Sequence, residues 1–358
     1  MIDTEKLATE PETDTFLGKT VLRIEEMLRP LGEPGYRAGQ IYKWIHHFNA
    51  DTFDEMTNLP QSLRDTLHAR FQIKTLQRAQ VEMSADGTEK YLWRLPDNRH
   101  IESVLITEAR RNTVCISSQV GCSLGCEFCA TGQMGFIRNL TSGEIVEQVL
   151  QIRKLTKHPI TNIVFMGMGE PFLNYHRAVQ ASRILSDPEG LAISAKKITF
   201  STSGVVPKIY QFTDEAQPFK LAISLHAANQ PLRERIMPIA RKFPLNQLME
   251  SVRYYMRAKR QNRVTFEYIL LHGINDSLAD MKQLISLLSP IRCKLNLIPC
   301  NQNNLGFSAP PPEHLDKIRE VIMKADFPVT IRKNRGEDIT AACGQLAVEV
   351  SEKVIFMK

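Results

Sequence analysis

Short strand-like runs alternate with helix-like stretches from Asn112 onward, and this alternation restricts the possible folds more than any other feature of the chain. The runs are TVCISS, NIVFMG, KITFST, KLAISLH, RVTFEYIL and CKLNLIP. Amphipathic stretches separate them, as in SGEIVEQVLQIRKLTKH and PLNQLMESVRYYMRAKR. Repeated strand–helix units predict a parallel sheet or a partial barrel of the α/β class. In such folds the chemistry lies at the carboxyl ends of the strands.

Two segments of different character precede this core. Residues 16–75 carry apolar residues at helical spacing, which predicts a small helical module. Residues 79–106 alternate around turn sequences such as Ala85-Asp86-Gly87, which predicts antiparallel strands. The predicted organisation is a frayed acidic tail at 1–15, a helical accessory module at 16–75, a β-hairpin connector at 76–110, a catalytic core at 111–348 and a C-terminal tail at 349–358.

Composition and charge set outer limits on the function. The 358 residues are 43% hydrophobic and 23% charged, which excludes a mainly disordered chain. No apolar run approaches the roughly 20 residues that span a bilayer, and the N-terminus lacks an apolar signal segment, so we expect a cytoplasmic protein with no membrane partner. The net charge is −3 over residues 1–100 and +9 over the remainder, which permits polyanion binding without establishing it.

Three of the seven cysteines form the motif Cys122-x3-Cys126-x2-Cys129, directly after the strand that ends near Ser118. Three thiolates on one short loop can ligate three corners of a cubane iron–sulfur cluster and leave its fourth iron open to a small molecule. The alternative is zinc, but zinc usually takes four ligands in paired spacings, and no partner pair follows. In a reducing compartment, clustered cysteines indicate metal or thiol chemistry before disulfides.

Polar or glycine-rich segments follow several strands of the core. Gly169 and Glu170 follow NIVFM, in a segment that is either a tight turn or a point of contact with a ligand. Ser201, the segment Ser224-Leu225-His226 and Asn301 stand at other strand ends, where such residues often only cap turns or helices. Because these ends face the same barrel mouth as the cysteine motif, we favour ligand contacts.

The CxxxCxxC spacing resembles that of the radical S-adenosylmethionine (SAM) superfamily. The resemblance implies a 4Fe-4S cluster on Cys122, Cys126 and Cys129, whose open iron chelates the amino and carboxylate groups of SAM. It also implies that the segment containing Gly169 and Glu170 binds the SAM amino group. The remaining strand-end residues are then SAM contacts, namely Ser201, Ser224, Leu225, His226 and Asn301.

Six longer segments carry a closer resemblance. They are CISSQVGCSLGCEFCATGQMGF, GMGEP, STSGVVP, AISLHA, LIPCN and RGEDITAACGQL. In this order they look like the radical SAM adenine-C2 RNA methyltransferases of the RlmN family. That resemblance implies a partial (βα)6-type radical SAM barrel with an N-terminal helical module and a short antiparallel β extension. It also implies methylation of adenine carbon 2 in the peptidyl-transferase centre of 23S rRNA and in tRNA, with two SAM molecules per turnover and an electron donor such as flavodoxin.

The same resemblance assigns roles to Cys343, Cys115 and Glu102. Cys343 takes a methyl group from one SAM, and a radical from a second SAM activates this methyl group for addition to adenine. Cys115 then forms a disulfide with Cys343, and Glu102 accepts the ring proton. From the residues alone, the two cysteines could equally be buried structural thiols, and Glu102 could be an exposed strand carboxylate.

Alternatives remain at this stage. One is a carbon-8 adenine methyltransferase that confers antibiotic resistance and shares the cysteine pair. A second is a methylthiolation enzyme, which usually requires a second cluster with its own three cysteines. The non-enzymatic alternative is a zinc-stabilised RNA-binding protein.

The remaining residues carry weaker predictions. Cys293 and Cys300 match no role and are predicted to be structural, and we expect a monomer. One basic run is either a solvated helix face or a phosphate track for RNA. Its residues are Arg233, Arg235, Arg241, Lys242, Arg253, Arg257, Lys259, Arg260 and Arg263.

Overall fold

The computed structural model describes residues 15–109, 111–259, 263–301, 305–332 and 335–346. The two predicted tails lie outside the described residues, apart from Thr15, which is buried and forms a parallel bridge with Gln72. Arg260 of the basic run also lies outside them. The motifs that carry the functional argument all fall within the described ranges, except for parts of the segments after Asn301 and Arg332.

Three helices build the N-terminal module. They are α1 (Val21–Leu28), α2 (Tyr36–His46) and α3 (Gln61–Arg70). The Thr20 side chain accepts a hydrogen bond from the backbone N–H of Arg23 and caps α1. Ile24 and Ile41 are fully buried, so the apolar faces of α1 and α2 meet in a shared core.

A ten-stranded sheet and a separate two-stranded ribbon account for the strands of the described residues. The strands are β1 (Gln77–Met83), β2 (Glu89–Arg94), β3 (His100–Glu108), β4 (Arg111–Cys115), β5 (Gln119–Gly121), β6 (Phe136–Asn139), β7 (Asn162–Phe165), β8 (Ile198–Thr202), β9 (Lys220–Ser224), β10 (Val264–Leu270), β11 (Cys293–Pro299) and β12 (Val329–Ile331).

The sheet changes from antiparallel to parallel at β4. Strands β1 to β4 pair with their neighbours in antiparallel register, and β7 to β12 continue from β4 as parallel strands in chain order. Every residue of β7 is buried, as expected for a parallel strand covered on both faces. Cys115 ends β4 at this junction, opposite Val104 of β3 and Val164 of β7.

Helices connect the parallel strands. They are α4 (Ala130–Gln133), α5 (Ser142–Leu155), α6 (Tyr175–Ser186), α7 (Val206–Asp214), α8 (Gln230–Ile236), α9 (Ile239–Lys242), α10 (Leu245–Ala258), α11 (Leu278–Leu288) and α12 (Pro312–Ile322). Thr141 and Glu144 form a reciprocal capping box that starts α5. Among the described residues, no helix is both long and apolar enough to cross a membrane. The alternation of parallel strands with helices confirms the predicted partial-barrel fold class.

A buried carboxylate fixes the helical module to the barrel. Glu147 of α5 is fully buried and accepts hydrogen bonds from Thr75 N at 2.9 Å, Thr75 Oγ1 at 2.7 Å and Leu76 N at 2.9 Å. Burial raises the pKa of Glu147, while the donors from Thr75 and Leu76 favour its charged form. This contact holds the chain that leaves α3 directly against the first helix of the barrel.

Candidate active site

The cysteine motif lies on a loop between β5 and α4, at the edge of the sheet where β4 ends. The backbone of this loop is held at several points: Cys122 N donates to Gly135 O at 2.9 Å, and Cys129 N donates to Cys126 O at 3.1 Å. Cys122 and Cys126 are buried, Cys129 is half-buried, and none of the three forms a disulfide. The ribbon of β5 and β6, which flanks the loop, is not foreseen by the sequence because its strands have only three and four residues.

One pocket brings together most of the predicted site residues. Those that line it are Cys122, Cys126, Cys129, Gly169, Glu170, Ser201, Ser224, His226 and Cys343. They come from the cysteine loop, from the ends of β7, β8 and β9, and from the segment 335–346. Two predicted SAM contacts, Leu225 and Asn301, and two predicted catalytic residues, Cys115 and Glu102, lie outside this lining.

The thiol groups of the loop suit an iron–sulfur cluster. Burial raises the pKa of Cys122 to about 12 and raises the pKa values of Cys126 and Cys129, and the neighbouring thiols reinforce these shifts at Cys122 and Cys126. Three thiolates with raised pKa values therefore need a positive partner, which a cubane core supplies. No three His, Cys, Asp or Glu side chains in the described ranges are arranged to hold a single metal ion. The fit thus rests on three thiols of one loop lining one pocket.

Gly169 and Glu170 form a tight turn that also faces the pocket. Gly169 has φ of +93°, and a Cβ there would lie 2.5 Å from the Gln119 side chain. Glu170 is buried, and its oxygens accept hydrogen bonds from Phe172 N at 3.0 Å and Ser203 N at 2.7 Å. Burial raises the pKa of Glu170, and these N–H groups oppose that rise. An ionised carboxylate offers several acceptor sites on its two oxygens, so this group suits a bound ammonium.

Gly169→Ala should destabilise the protein more than Gly125→Ala. Both glycines have positive φ, +93° and +61°, which costs a residue with a Cβ about 1–2 kcal/mol. Only at Gly169 would the Cβ clash, since nothing lies within 4 Å of one at Gly125; such overpacking adds about 1–3 kcal/mol. Thermal unfolding of both variants in the same cluster-loaded form measures the difference. Equal losses would mean that only the backbone angle matters at Gly169.

The ends of β8 and β9 present hydroxyl groups and an imidazole to the pocket. The Oγ atoms of Ser201 and Ser224 lie 3.3 Å apart. His226 has φ of +57°, and its Nδ1 accepts a hydrogen bond from Ile269 N at 3.0 Å. Because a backbone N–H can only donate, the proton of the neutral ring is on Nε2. Burial lowers the pKa of His226 to about 3, so the ring stays neutral at physiological pH.

Leu225 and Asn301 lie outside the lining of the pocket and contact other protein groups. Leu225 is fully buried, and its backbone carbonyl accepts a hydrogen bond from Arg233 Nε at 3.1 Å. Asn301 is buried, and its Nδ2 donates to Gln345 Oε1 at 3.4 Å. Asn301 therefore connects the end of β11 to the segment that contains Cys343. Its Oδ1 has no hydrogen-bond partner among the described residues.

The segment 335–346 places Cys343 at the pocket. Its Gly344 O accepts from Ala130 N at 2.7 Å, and its Leu346 O accepts from Thr131 Oγ1, so it is attached to the residues that follow the cysteine loop. On the other side, Asp338 accepts from Ala85 N at 3.1 Å in the turn between β1 and β2. The antiparallel extension therefore holds the Cys343 segment in place. The Cys343 side chain is exposed, and it lines the pocket.

Cys115 and Cys343 are electrostatically coupled. Cys115 is buried at the end of β4, and burial together with the Cys343 thiol raises its pKa to about 12. Loss of hydration raises the pKa of the Cys343 thiol as well. The Arg332 guanidinium lowers the pKa of both thiols. Arg332 follows β12, where its backbone N–H donates to Leu297 O at 2.8 Å. The sequence analysis did not single out this arginine.

Glu102 lies on β3, on the same face of the sheet as Cys115. Cys115 pairs with Val104, and Glu102 is two residues from Val104, so the three side chains share one face. Glu102 is buried, with Oε1 3.6 Å from Lys90 Nζ. Lys90 Nζ also donates to Thr340 Oγ1 at 3.1 Å, so this lysine connects Glu102 to the Cys343 segment.

Glu267 is a pocket residue that the sequence analysis missed. It lies in β10, is buried, and accepts a hydrogen bond from Asn296 Nδ2 at 2.9 Å on one oxygen. Its other oxygen has no hydrogen-bond partner among the described residues, and burial raises its pKa. A signal was available in the sequence, because this glutamate interrupts the otherwise apolar run VTFEYIL.

Comparisons with known proteins agree with this geometry. The family model "Radical SAM superfamily" matches residues 116–287, and "Ribosomal RNA large subunit methyltransferase N-terminal domain" matches residues 16–73. The chain is 44% identical to "Dual-specificity RNA methyltransferase RlmN" of Anaeromyxobacter dehalogenans, covering 91% of this chain and 90% of the relative. It is also 44% identical to "Probable dual-specificity RNA methyltransferase RlmN" of Geobacillus kaustophilus, covering 94% and 93%. A crystal structure of a radical SAM methyltransferase from Sphaerobacter thermophilus is 43% identical, with a TM-score of 0.87 over 91% of this chain and 97% of that one.

A loop with three cysteines at the strand ends of a partial βα barrel is the arrangement of a radical SAM protein, and this class holds a 4Fe-4S cluster and binds SAM. The match of the helical N-terminal module and the sequence identity to the curated relatives, which spans more than 90% of the chain, narrow this class further. The chain belongs to the RlmN family of dual-specificity RNA methyltransferases. The predicted enzyme class and cofactors are thereby confirmed.

Proposed function

We propose that the enzyme methylates carbon 2 of adenine, in the peptidyl-transferase centre of 23S rRNA and beside the anticodon in tRNA. The observation that carries this proposal is a pair of thiols beyond the cysteine loop: Cys343 lines the pocket, and Cys115 ends β4 close enough for the Cys343 thiol to raise its pKa. Two thiols beyond the cluster ligands allow one to carry a methyl group and the other to release it. The curated relatives are named dual-specificity RNA methyltransferases, which supports two kinds of RNA substrate.

The target atom explains why a carrier is needed. Carbon 2 of adenine is electron-poor, so it cannot attack the SAM methyl group in a simple polar step. Cys343 can, because as a thiolate it displaces the methyl group of one SAM and becomes a methyl thioether. A cluster held by Cys122, Cys126 and Cys129 would supply the electron for reductive cleavage of a second SAM, which releases a 5′-deoxyadenosyl radical. Methyl-Cys343, which lines the same pocket as the three cluster cysteines, then gives up a hydrogen atom.

The remaining steps belong to the residues around β3 and β4. The methylene radical on Cys343 adds to carbon 2 and leaves the RNA attached to the protein. The adduct then loses one electron, which would return to the oxidised cluster, together with the proton of carbon 2. Glu102 accepts the proton lost from the ring, with Lys90 3.6 Å away to stabilise its charge. Cys115 then attacks the sulfur of Cys343 as a thiolate, so that a disulfide forms as the bond from this sulfur to the new carbon breaks. The released CH2 carbon takes up a proton and becomes the methyl group. We assign Gly169, Glu170, Ser201, Ser224, Leu225, His226 and Asn301 to SAM.

The partners follow from these substrates. We infer that the enzyme works as a monomer in the cytoplasm, where rRNA and tRNA are available, and takes electrons from a donor such as flavodoxin. Exposed basic residues form a candidate phosphate track on α8, α9 and α10. They are Arg235, Arg241, Lys242, Arg253 and Arg257.

RNA labelled with deuterium at adenine carbon 2 should lose the label from that ring position once for every methyl group gained. The reason is that the new carbon–carbon bond replaces the carbon–hydrogen bond at that position. Cluster-loaded enzyme, SAM and a reductant are incubated with a 23S rRNA fragment and, separately, with tRNA, and the nucleosides are analysed by mass spectrometry. RNA labelled at carbon 8 is the matched control and should keep its label. Loss of label from carbon 8 instead would assign the enzyme to the carbon-8 methyltransferases.

A further inference from the structure

Arg233 is a buried arginine beside the cysteine loop. It lies on α8 with no exposed surface, so it cannot belong to the RNA phosphate track that the sequence suggests. Its Nε donates to Leu225 O at 3.1 Å, and its Nη2 donates to Ser203 O at 2.7 Å and Ser224 O at 3.3 Å. No carboxylate of the described residues lies within ion-pairing distance of it. A guanidinium is thus enclosed among neutral carbonyl groups.

Such a group requires a negative partner. Carbonyl dipoles satisfy its N–H groups, but they do not neutralise its charge, and a buried charge without a compensating partner destabilises the folded protein. Burial lowers the pKa of Arg233 only to about 10, so it stays protonated at neutral pH. A binding site that accumulates negative charge nearby would provide the missing compensation.

The cysteine loop is that site. The backbone N–H of Glu127, between Cys126 and Cys129, donates to Ile236 O at 3.0 Å, one turn beyond Arg233 on α8. Three thiolates exceed the positive charge of an oxidised cubane core by one, and reduction adds a second negative charge. A fixed cation beside this loop therefore favours the reduced cluster.

We propose that Arg233 is the fixed counter-charge of the iron–sulfur cluster and raises its reduction potential, which makes it a positioning residue for electron transfer rather than an RNA ligand. The carbonyl groups of Ser203, Ser224 and Leu225 hold the guanidinium in place at the ends of β8 and β9. This inference rests on the cluster and does not depend on which carbon of RNA is methylated.

The test compares Arg233→Gln, which removes the charge, with Arg233→Lys, which keeps it. Each protein is reconstituted without oxygen. The midpoint potential of its SAM-free cluster is then measured by a redox titration that is monitored by electron paramagnetic resonance. Arg233→Gln should lower the equilibrium constant for one-electron reduction at least tenfold, a shift of about 59 mV to more negative potential. Arg233→Lys should stay closer to the wild-type potential. Arg241→Gln, which removes an exposed cation from the adjacent α9, should leave it unchanged because solvent screens that charge.

Each outcome decides the proposal. Equal potentials in wild type and Arg233→Gln would overturn it, and so would equal shifts in the Gln and Lys variants, because the hydrogen bonds would then matter and not the charge. Iron and sulfide analysis of each variant shows whether its cluster has assembled. Assembly in Arg233→Lys but not in Arg233→Gln supports a counter-charge, whereas failure in both shows that Arg233 only holds the strand ends together.

Discussion

A Cys343→Ala protein should assemble its cluster normally, carry no methyl group on the segment 335–346 and transfer none to RNA. The thiol is exposed at the pocket and is not one of the three loop cysteines, so its loss removes the carrier without removing a cluster ligand. The fold should also survive, because truncating an exposed side chain usually changes stability by less than about 0.5 kcal/mol. The expected effect on RNA methylation is a fall to background.

Mass spectrometry of the tryptic peptide that contains Cys343 measures the first part of this result. Wild-type protein produced with SAM available and its cluster intact should carry a methyl group there. Cys293→Ala is the matched control, because Cys293 is a buried thiol at the start of β11, outside the pocket, and its loss should leave the methyl group on Cys343 and the transfer to RNA in place. An unmodified Cys343 in active, cluster-loaded wild type would remove the carrier step, while the radical SAM class would stand.

The fold could be predicted because each parallel strand can be recognised from a short run of consecutive residues. Each parallel strand is a short apolar run bounded by a polar strand end, and a buried strand needs little else to be recognised. The cysteine motif was equally accessible, since three ligands on one loop depend on spacing and not on tertiary contacts. The ribbon of β5 and β6 escaped prediction because three or four residues show no period.

The contacts that complete the site could not be predicted because they join distant parts of the chain. Lys90 reaches Thr340, and Asp338 accepts from Ala85, so the antiparallel extension supports a segment about 250 residues away. Arg233 is a residue that the sequence analysis placed in an exposed basic run, although it is buried. Its basic neighbours suggested a solvated or RNA-binding face, but only the packing of α8 against β9 reveals that this one arginine points inward.

Cys115→Ala should stop the reaction at a covalent adduct between Cys343 and RNA. Cys115 is the coupled thiol, buried at the end of β4, and without it nothing attacks the Cys343 sulfur to break its bond to the new methyl carbon. The first half of the reaction should proceed, because the cluster loop and Cys343 are unchanged. The adduct should therefore accumulate to nearly one RNA per active protein, while free methylated RNA falls to background.

Denaturing electrophoresis with labelled RNA, followed by nuclease and peptide mass spectrometry, measures this adduct and locates it on Cys343. The double variant Cys115→Ala/Cys343→Ala is the control and should form none, because the atom that bonds to RNA is then missing. Cys115→Ser tests packing, since its hydroxyl fills the buried site but forms no disulfide; it should trap the adduct as well. Repeated turnover by Cys115→Ala would show that another group releases the RNA, and the pairing of these two thiols would then have no chemical role.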